Sequence, residues 1–210
     1  MIRRLLLGLA GCLIASAAGA QAGAGADPAK AQPIVKQVCA ACHSNDGNSA
    51  LPVNPVIAGQ HADYIVKQLM NFKPRAGKPA ERSNPVMATM VANLSPEDMR
   101  NLAAYFEMQS RKPRAASDVA LAKAGQAIYR GGILSRGVAA CTACHGPTGA
   151  GVPAQYPRLA GQFTEYTSAQ LKAFRSGERA NDANRMMRVI AEKLSDREIA
   201  ALSEYIAGLR

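Results

Sequence analysis

The sequence contains no tryptophan and only four phenylalanines, and aromatic residues make up 5% of its 210 positions. A core of ordinary size would have to come from Ala, Leu, Ile, Val and Met. A small domain built that way is short of large apolar groups, because small domains bury a smaller share of their surface. Something other than side chains is needed to fill the interior. Beyond the first twenty positions no run is apolar enough to span a bilayer. No run reads as a strand either, so the expected class is all-α. No set of acids, bases and nucleophiles stands in a catalytic pattern, which argues against chemistry on a small substrate.

The first residues address the compartment. "MIRR" is a short basic start, "LLLGLAGCLIASAA" is apolar but too short for a span, and "AGA" at Ala18 to Ala20 has the form of a signal-peptidase site. Residues 1–20 are expected to be an export signal cleaved near Ala20, which places the mature chain in the periplasm. Two neighbouring readings stand beside this one. "LAGC", Leu9 to Cys12, has the form of a lipobox that would lipidate Cys12, and an uncleaved signal would act as an anchor. Either way the membrane association is at most peripheral. The net charge is +10. Export excludes nucleic acid as the partner of this charge, and an acidic protein surface fits better. The basic residues are scattered, apart from "RKPR" at Arg111 to Arg114.

What the chain does have is said twice. "CAACHSNDGNSALPVNPVIAGQ", Cys39 to Gln60, is matched 102 positions later by "CTACHGPTGAGVPAQYPRLAGQ", Cys141 to Gln162. The match extends through Tyr64/Tyr166, Gln68/Gln170, Leu69/Leu171 and Phe72/Phe174. At an offset of 100, "LSPEDMRNLAAYF" from Leu94 lies over "LSDREIAALSEYI" from Leu194. This is an internal duplication, too few-fold for a solenoid. Residues 21–110 and 118–210 are expected to be two domains joined by a linker at 111–117. Apolar spacing predicts helices over 61–73 and 163–177. Ser95, with Pro96 behind it, and Ser195 predict two further helix starts. A helix over 118–132 is expected to be capped by Ser117 or Asp118 and ended by Gly131 and Gly132.

Four of the five cysteines lie in "CAACH" and "CTACH". Two thiols separated by two residues and followed at once by His form the pattern for covalent c-type haem attachment. The sulfurs, Cys39 and Cys42 or Cys141 and Cys144, add to the two vinyl groups, and the adjacent imidazole, His43 or His145, reaches the iron. A thioredoxin-like CxxC needs a βαβ context that is absent. A four-Cys zinc site or a structural disulfide gives no reason for a histidine after each pair. Two covalent haem c groups would also supply the large apolar bodies that the composition lacks.

In both copies a proline falls twelve residues after this histidine, Pro55 and Pro157, and an aliphatic residue fourteen after it, Ile57 and Leu159. On these motifs each half resembles a small class I cytochrome c, and the pair resembles the dihaem cytochrome c4 family over essentially the whole mature chain. The resemblance implies that the carbonyls of Pro55 and Pro157 accept a hydrogen bond from the haem-ligand imidazole. The plainer reading of both is a turn proline before "AGQ".

A carrier that never binds substrate at iron needs a sixth ligand, and Met opposite His raises the reduction potential. Most methionines at helical spacing are packing. With the two "LS" dipeptides aligned, only Met87 and Met187 coincide, and this position also matches the Met ligand of the resembling family. Met90 and Met186 are the reserves, and Met70 is expected to pack within its helix. His61 faces Phe163 in the other copy, so a surface or packing role is expected for it. Gln60/Gln162 and Tyr64/Tyr166 are read either as helix-start residues or as partners of loop backbone or haem propionates. Arg75, Arg82, Arg175 and Arg179 are candidates to neutralise propionates.

The expected function is single-electron transfer in a respiratory chain by a monomeric periplasmic dihaem carrier, not an enzyme. The resemblance implies a cytochrome bc complex as donor, a haem-copper terminal oxidase as acceptor, and haem edges facing each other across the domain interface. Three rivals are the dihaem subunit of a flavin-dependent sulfide dehydrogenase, a peroxidase-like enzyme with an open iron, and a ligand-sensing haem module that would likewise need an open site.

Overall fold

The computed structural model describes residues 25–75, 77–153 and 155–210, and every regular element in it is helical. The export-signal and lipobox readings fall outside these residues. Among the described residues, β pairing is confined to isolated bridges such as Ile133 with Val138.

The first unit opens with α1 (Pro28–Ile34), where the Asp27 carboxylate accepts from the Ala29 N–H and Pro28 takes the first helical position. The chain continues through a π-helical turn, Val35–Cys39, straight into α2 (Ala40–His43). Then come α3 (Ala62–Phe72), α4 (Pro85–Val91) and α5 (Pro96–Glu107). Both α1 and α3 pack on α5, around Ala31, Val35, Leu102 and Phe106, all nearly inaccessible to water.

The second unit repeats the plan with α6 (Val119–Gly131), α7 (Thr142–His145), α8 (Thr164–Ser176), α9 (Met186–Ala191) and α10 (Asp196–Gly208). Its core is Tyr129, Ile199, Leu202 and Ile206, with α6 and α8 on α10. The crossing of α6 and α10 is close enough that a Cβ on Gly125 would lie 1.9 Å from the Ala201 carbonyl oxygen. An interior helical glycine is costly unless another backbone needs its space, and here one does.

Ser95 and Ser195 each close a capping box, with Asp98 and Glu198 reaching back to the serine N–H. Of the two candidates for α6 it is Asp118 that caps, accepting from the Leu121 N–H at 2.8 Å. Ser117 turns instead to Glu204. The short helices α1, α4 and α9 span too few turns for apolar periodicity to reveal them. A third small cluster, Val56, Ala58 and Phe163 with Tyr166 against it, joins residues of both units.

Candidate functional site

Each CxxCH motif ends a single helical turn. The residue after the histidine takes a positive φ, 63° at Ser44 and 76° at Gly146, which reverses the chain. Gly146 does this freely, whereas Ser44 is held there against its preference. The returning loop is fixed on one carbonyl per unit. Gly47 O accepts from the N–H groups of Ile57 and Ala58, and Gly149 O from those of Leu159 and Ala160.

These turns bring Pro55 and Pro157 back onto the imidazoles. His43 Nδ1 lies 3.0 Å from Pro55 O, and His145 Nδ1 lies 3.0 Å from Pro157 O. A carbonyl only accepts, so Nδ1 carries the proton and Nε2 keeps its lone pair. Both rings are buried, at 8% and 7% exposure. Burial lowers their pKa against the opposing proline bond, which keeps the ligand-competent neutral form.

The four thiols are unpaired, with Cys42 exposed and Cys39, Cys141 and Cys144 half-buried. Burial pushes Cys39 and Cys141 up to about 11, the reverse of what a redox-active pair needs. Among the described residues no group of three or more His, Cys, Asp or Glu could hold a metal ion. A four-thiolate zinc site is thereby excluded.

Met87 stands in the first turn of α4, where its N–H is capped by Asn84 at 2.9 Å. Met187 is the second residue of α9, which follows two left-handed residues, Asn184 and Arg185. Both methionines are half-buried. The reserves Met90 and Met186 are 37% and 36% exposed, and Met99, at 3%, is core. Met70 packs on the first core, as does Met87. A buried imidazole with a free Nε2, one thiol at the start of the turn and a second just before the imidazole, and a half-buried methionine on a short helix together fit a c-type haem in each unit.

The residues around these sites join the units reciprocally. Gln162 accepts from Val56 N–H and donates to Val56 O, both at 2.9 Å, while Gln60 does the same to Arg158. Tyr64 accepts from Arg179 at 3.0 Å and Tyr166 from Arg82 at 2.9 Å. The two arginines share Gln68 and Gln170, and each lies over a phenylalanine of its own unit, Phe72 or Phe174. Arg175 binds Leu194 O and Asp196 away from the junction, and Arg75 is exposed.

His61 donates from or accepts at Nε2 within 2.8 Å of Ala150 O, and an acceptor-only partner makes it the donor. It is therefore a contact between units. Sequence reasoning missed the role of Arg111, which looked like linker charge. Its guanidinium bonds both Ala58 O and Ala160 O, equivalent carbonyls of the two copies. No spacing signal marks such a residue, because it lies outside the repeat.

Comparison with known proteins bears on the whole arrangement. A family model described as cytochrome c matches residues 28–110 and again 122–210. A curated relative, cytochrome c4 of Thiocapsa roseopersicina, is 47% identical over 87% of this chain and 93% of its own length. A thiosulfate dehydrogenase electron acceptor of Stutzerimonas stutzeri is 39% identical over 88% of this chain and 82% of its own. The crystal structure of reduced recombinant cytochrome c4 from Pseudomonas stutzeri superposes with a TM-score of 0.83 at 43% identity. That match covers 88% of this chain and all of the other.

Proposed function

The chain belongs to the cytochrome c4 family, and from that premise we propose that it carries electrons in the periplasm with Cys39, Cys42, His43 and Met87 holding one haem c and Cys141, Cys144, His145 and Met187 the other. It is a dihaem electron carrier with both haems bound covalently, not an enzyme. The irons supply one-electron ferric/ferrous chemistry. The cysteines would hold each haem by thioether bonds, and the imidazoles would ligate through Nε2. Pro55 and Pro157 orient the rings and raise their donor strength by accepting at Nδ1. Met87 and Met187 would supply the second protein ligand to each iron and exclude water or substrate. The observation that carries this reading is the paired 3.0 Å contact of each buried imidazole with a proline carbonyl, which leaves one lone pair free in each unit.

The donor is proposed to be a cytochrome bc complex and the acceptor a haem-copper oxidase, met through weak transient contacts. The basic balance, +8 once Arg3 and Arg4 leave with residues 1–20, would favour acidic docking surfaces, with an on-rate that falls as salt rises. Periplasmic placement is supported by the export signal read in residues 1–20. Among the described residues no helix is long and apolar enough to cross a membrane. A second donor, a thiosulfate dehydrogenase, is favoured by the relative from Stutzerimonas stutzeri.

The test is a haem count with optical spectra recorded oxidised, reduced, and reduced under carbon monoxide. Two low-spin haems with the ferric Met-sulfur band and no carbon monoxide response are expected. A high-spin component or ready carbon monoxide binding would mean an open iron and overturn the closed-carrier reading.

A further inference from the structure

Behind the junction, on the side of Arg111, a cavity of about 210 Å3 is bounded by Arg111, Arg114, Arg158 and Arg210 with Thr148 and Gly161. Lys112 on its rim is paired with Asp46 at 3.2 Å, but none of the four arginines has an ion pair among the described residues. Arg111 spends its donors on two neutral carbonyls, which satisfies hydrogen bonds but leaves its charge uncompensated. Burial, then Arg158 and Arg114, push its guanidinium down to about 10. Arg114 lies 3.4 Å over the Phe163 ring and gives one bond to Ser49 O. The Nε atoms of Arg114 and Arg158 are both buried and without a hydrogen-bond partner.

Unpaired buried donors are rare in native proteins and call for a missing water or ion. Here the donors are charged and both act on Arg111, with Glu165 the one acid that acts on Arg114, so a water answers the hydrogen bonds but not the repulsion at Arg111. An anion answers both. Arginine suits tetrahedral oxyanions because its planar fork offers parallel donors. Domain junctions are also a common place for small-ligand sites.

We propose that this cavity binds a phosphate-type oxyanion, free or as a phospholipid headgroup, held by the guanidinium groups of Arg114 and Arg158. The occupant neutralises the cluster around Arg111, the residue that ties Ala58 and Ala160 together. Binding therefore stabilises the two-unit arrangement in proportion to occupancy. None of the CxxCH residues takes part, so this site stands or falls separately from the haem ligation.

The experiment titrates inorganic phosphate against chloride at equal ionic strength into the haem-loaded protein, by calorimetry. Wild type, Arg158→Gln, Arg114→Gln and a control, Arg130→Gln on the exposed face of α6, are compared, with circular dichroism checking the fold. Saturable one-to-one binding is expected in wild type and control, and at least tenfold weaker binding in either cavity variant. A parallel arm sediments the proteins with phosphatidylglycerol vesicles. Phosphate heat identifies the free anion, whereas vesicle binding that depends on Arg158 or Arg114 but not Arg130, without phosphate heat, identifies the headgroup. Absence of both signals, cavity variants that bind like wild type, or equal loss in the control would overturn the proposal.

Discussion

The two units reach their CxxCH turns by different routes. In the first, α1 runs through a π-helical turn directly into Cys39, with no loop between. In the second, α6 stops at Gly131, and residues 132–140, including the exposed Leu134, intervene before Cys141. The approaches to the methionines differ as well: Pro85 and an Asn84 cap start α4, whereas α9 follows two left-handed residues and an Asp182 carboxylate that binds Arg188. Yet the histidine-to-proline contact is 3.0 Å in both, and the Gly47 and Gly149 carbonyls accept the equivalent pair of N–H groups. What is held constant is the set of atoms around the haem site, and what varies is the chain that delivers it. Local geometry at the cofactor is therefore the shared constraint, and loop length is free because longer surface loops cost little.

The largest test of that constancy is at the iron. Met187→Ala is expected to remove half of the ferric Met-sulfur band and open one iron to carbon monoxide, and Met87→Ala the other half. Met186→Ala and Met90→Ala should leave both spectra intact, because these side chains are more than a third exposed. An equal loss from Met186→Ala would break the equivalence of the two units at their sixth ligand.

Helix packing separates the units next. With Gln32 laid over Gln126, Ala31 stands where the second unit has Gly125. Gly125→Ala would drive a Cβ to 1.9 Å from a backbone oxygen, which only a helix shift relieves. The expected cost is at the upper end of about 1–3 kcal/mol for overpacking. The reverse change, Ala31→Gly, removes one buried methyl and loosens α1 by roughly 1 kcal/mol. Hydrogen exchange read separately in α6 and α1 checks this, and equal effects would mean that the two crossings are alike.

Much of this was legible in the sequence because it was repeated. The duplicated CxxCH, the offset of Pro55 and Pro157, and the helix starts at Ser95 and Ser195 follow from spacing and capping chemistry. Met87 and Met187 stood out only because a duplicated chain allows one copy to filter the other. The junction was not legible. Gln60 and Gln162 read equally well as helix-start residues, since nothing local says that a side chain reaches the backbone of the opposite copy. Arg111 and Arg114 sat in a stretch whose composition reads as linker. Contacts of long sequence separation leave no periodic trace, and a residue on the axis between two copies has no counterpart to reveal it.

The junction gives a smaller and more pointed comparison. Gln162→Ala strips the partner from Val56 N–H, a residue 2% exposed, whereas Gln60→Ala strips it from the half-buried Arg158, where water can enter. A buried unsatisfied donor costs about 1–3 kcal/mol, so Gln162→Ala should weaken the junction by that order and Gln60→Ala by less. Limited proteolysis in residues 111–117 reports the difference. Equal cutting rates would show that water reaches both sides alike.

The smallest effect should be the same in both units. Ser95→Ala and Ser195→Ala each remove a capping box, at about 0.5–2 kcal/mol. The Ser95 hydroxyl and N–H hold the Asp98 carboxyl below its ordinary value. At Glu198 burial opposes, but the bonds from Ser195 and the ion pair with Arg136 prevail in the same direction. A folded-state pKa lowered in this way contributes stability that is present above the unfolded values, about 3.9 for Asp and 4.3 for Glu. It is lost as pH falls through that range into the depressed folded pKa. Each serine variant should therefore be less stable near neutrality and shed less stability on acidification than wild type. Arg136 still holds Glu198 after Ser195→Ala, so the residual acid dependence should be larger in the second unit. Thermal unfolding of the haem-loaded variants across the acid range would show this, and identical residual slopes would mean that the exposed Arg136 pair contributes nothing.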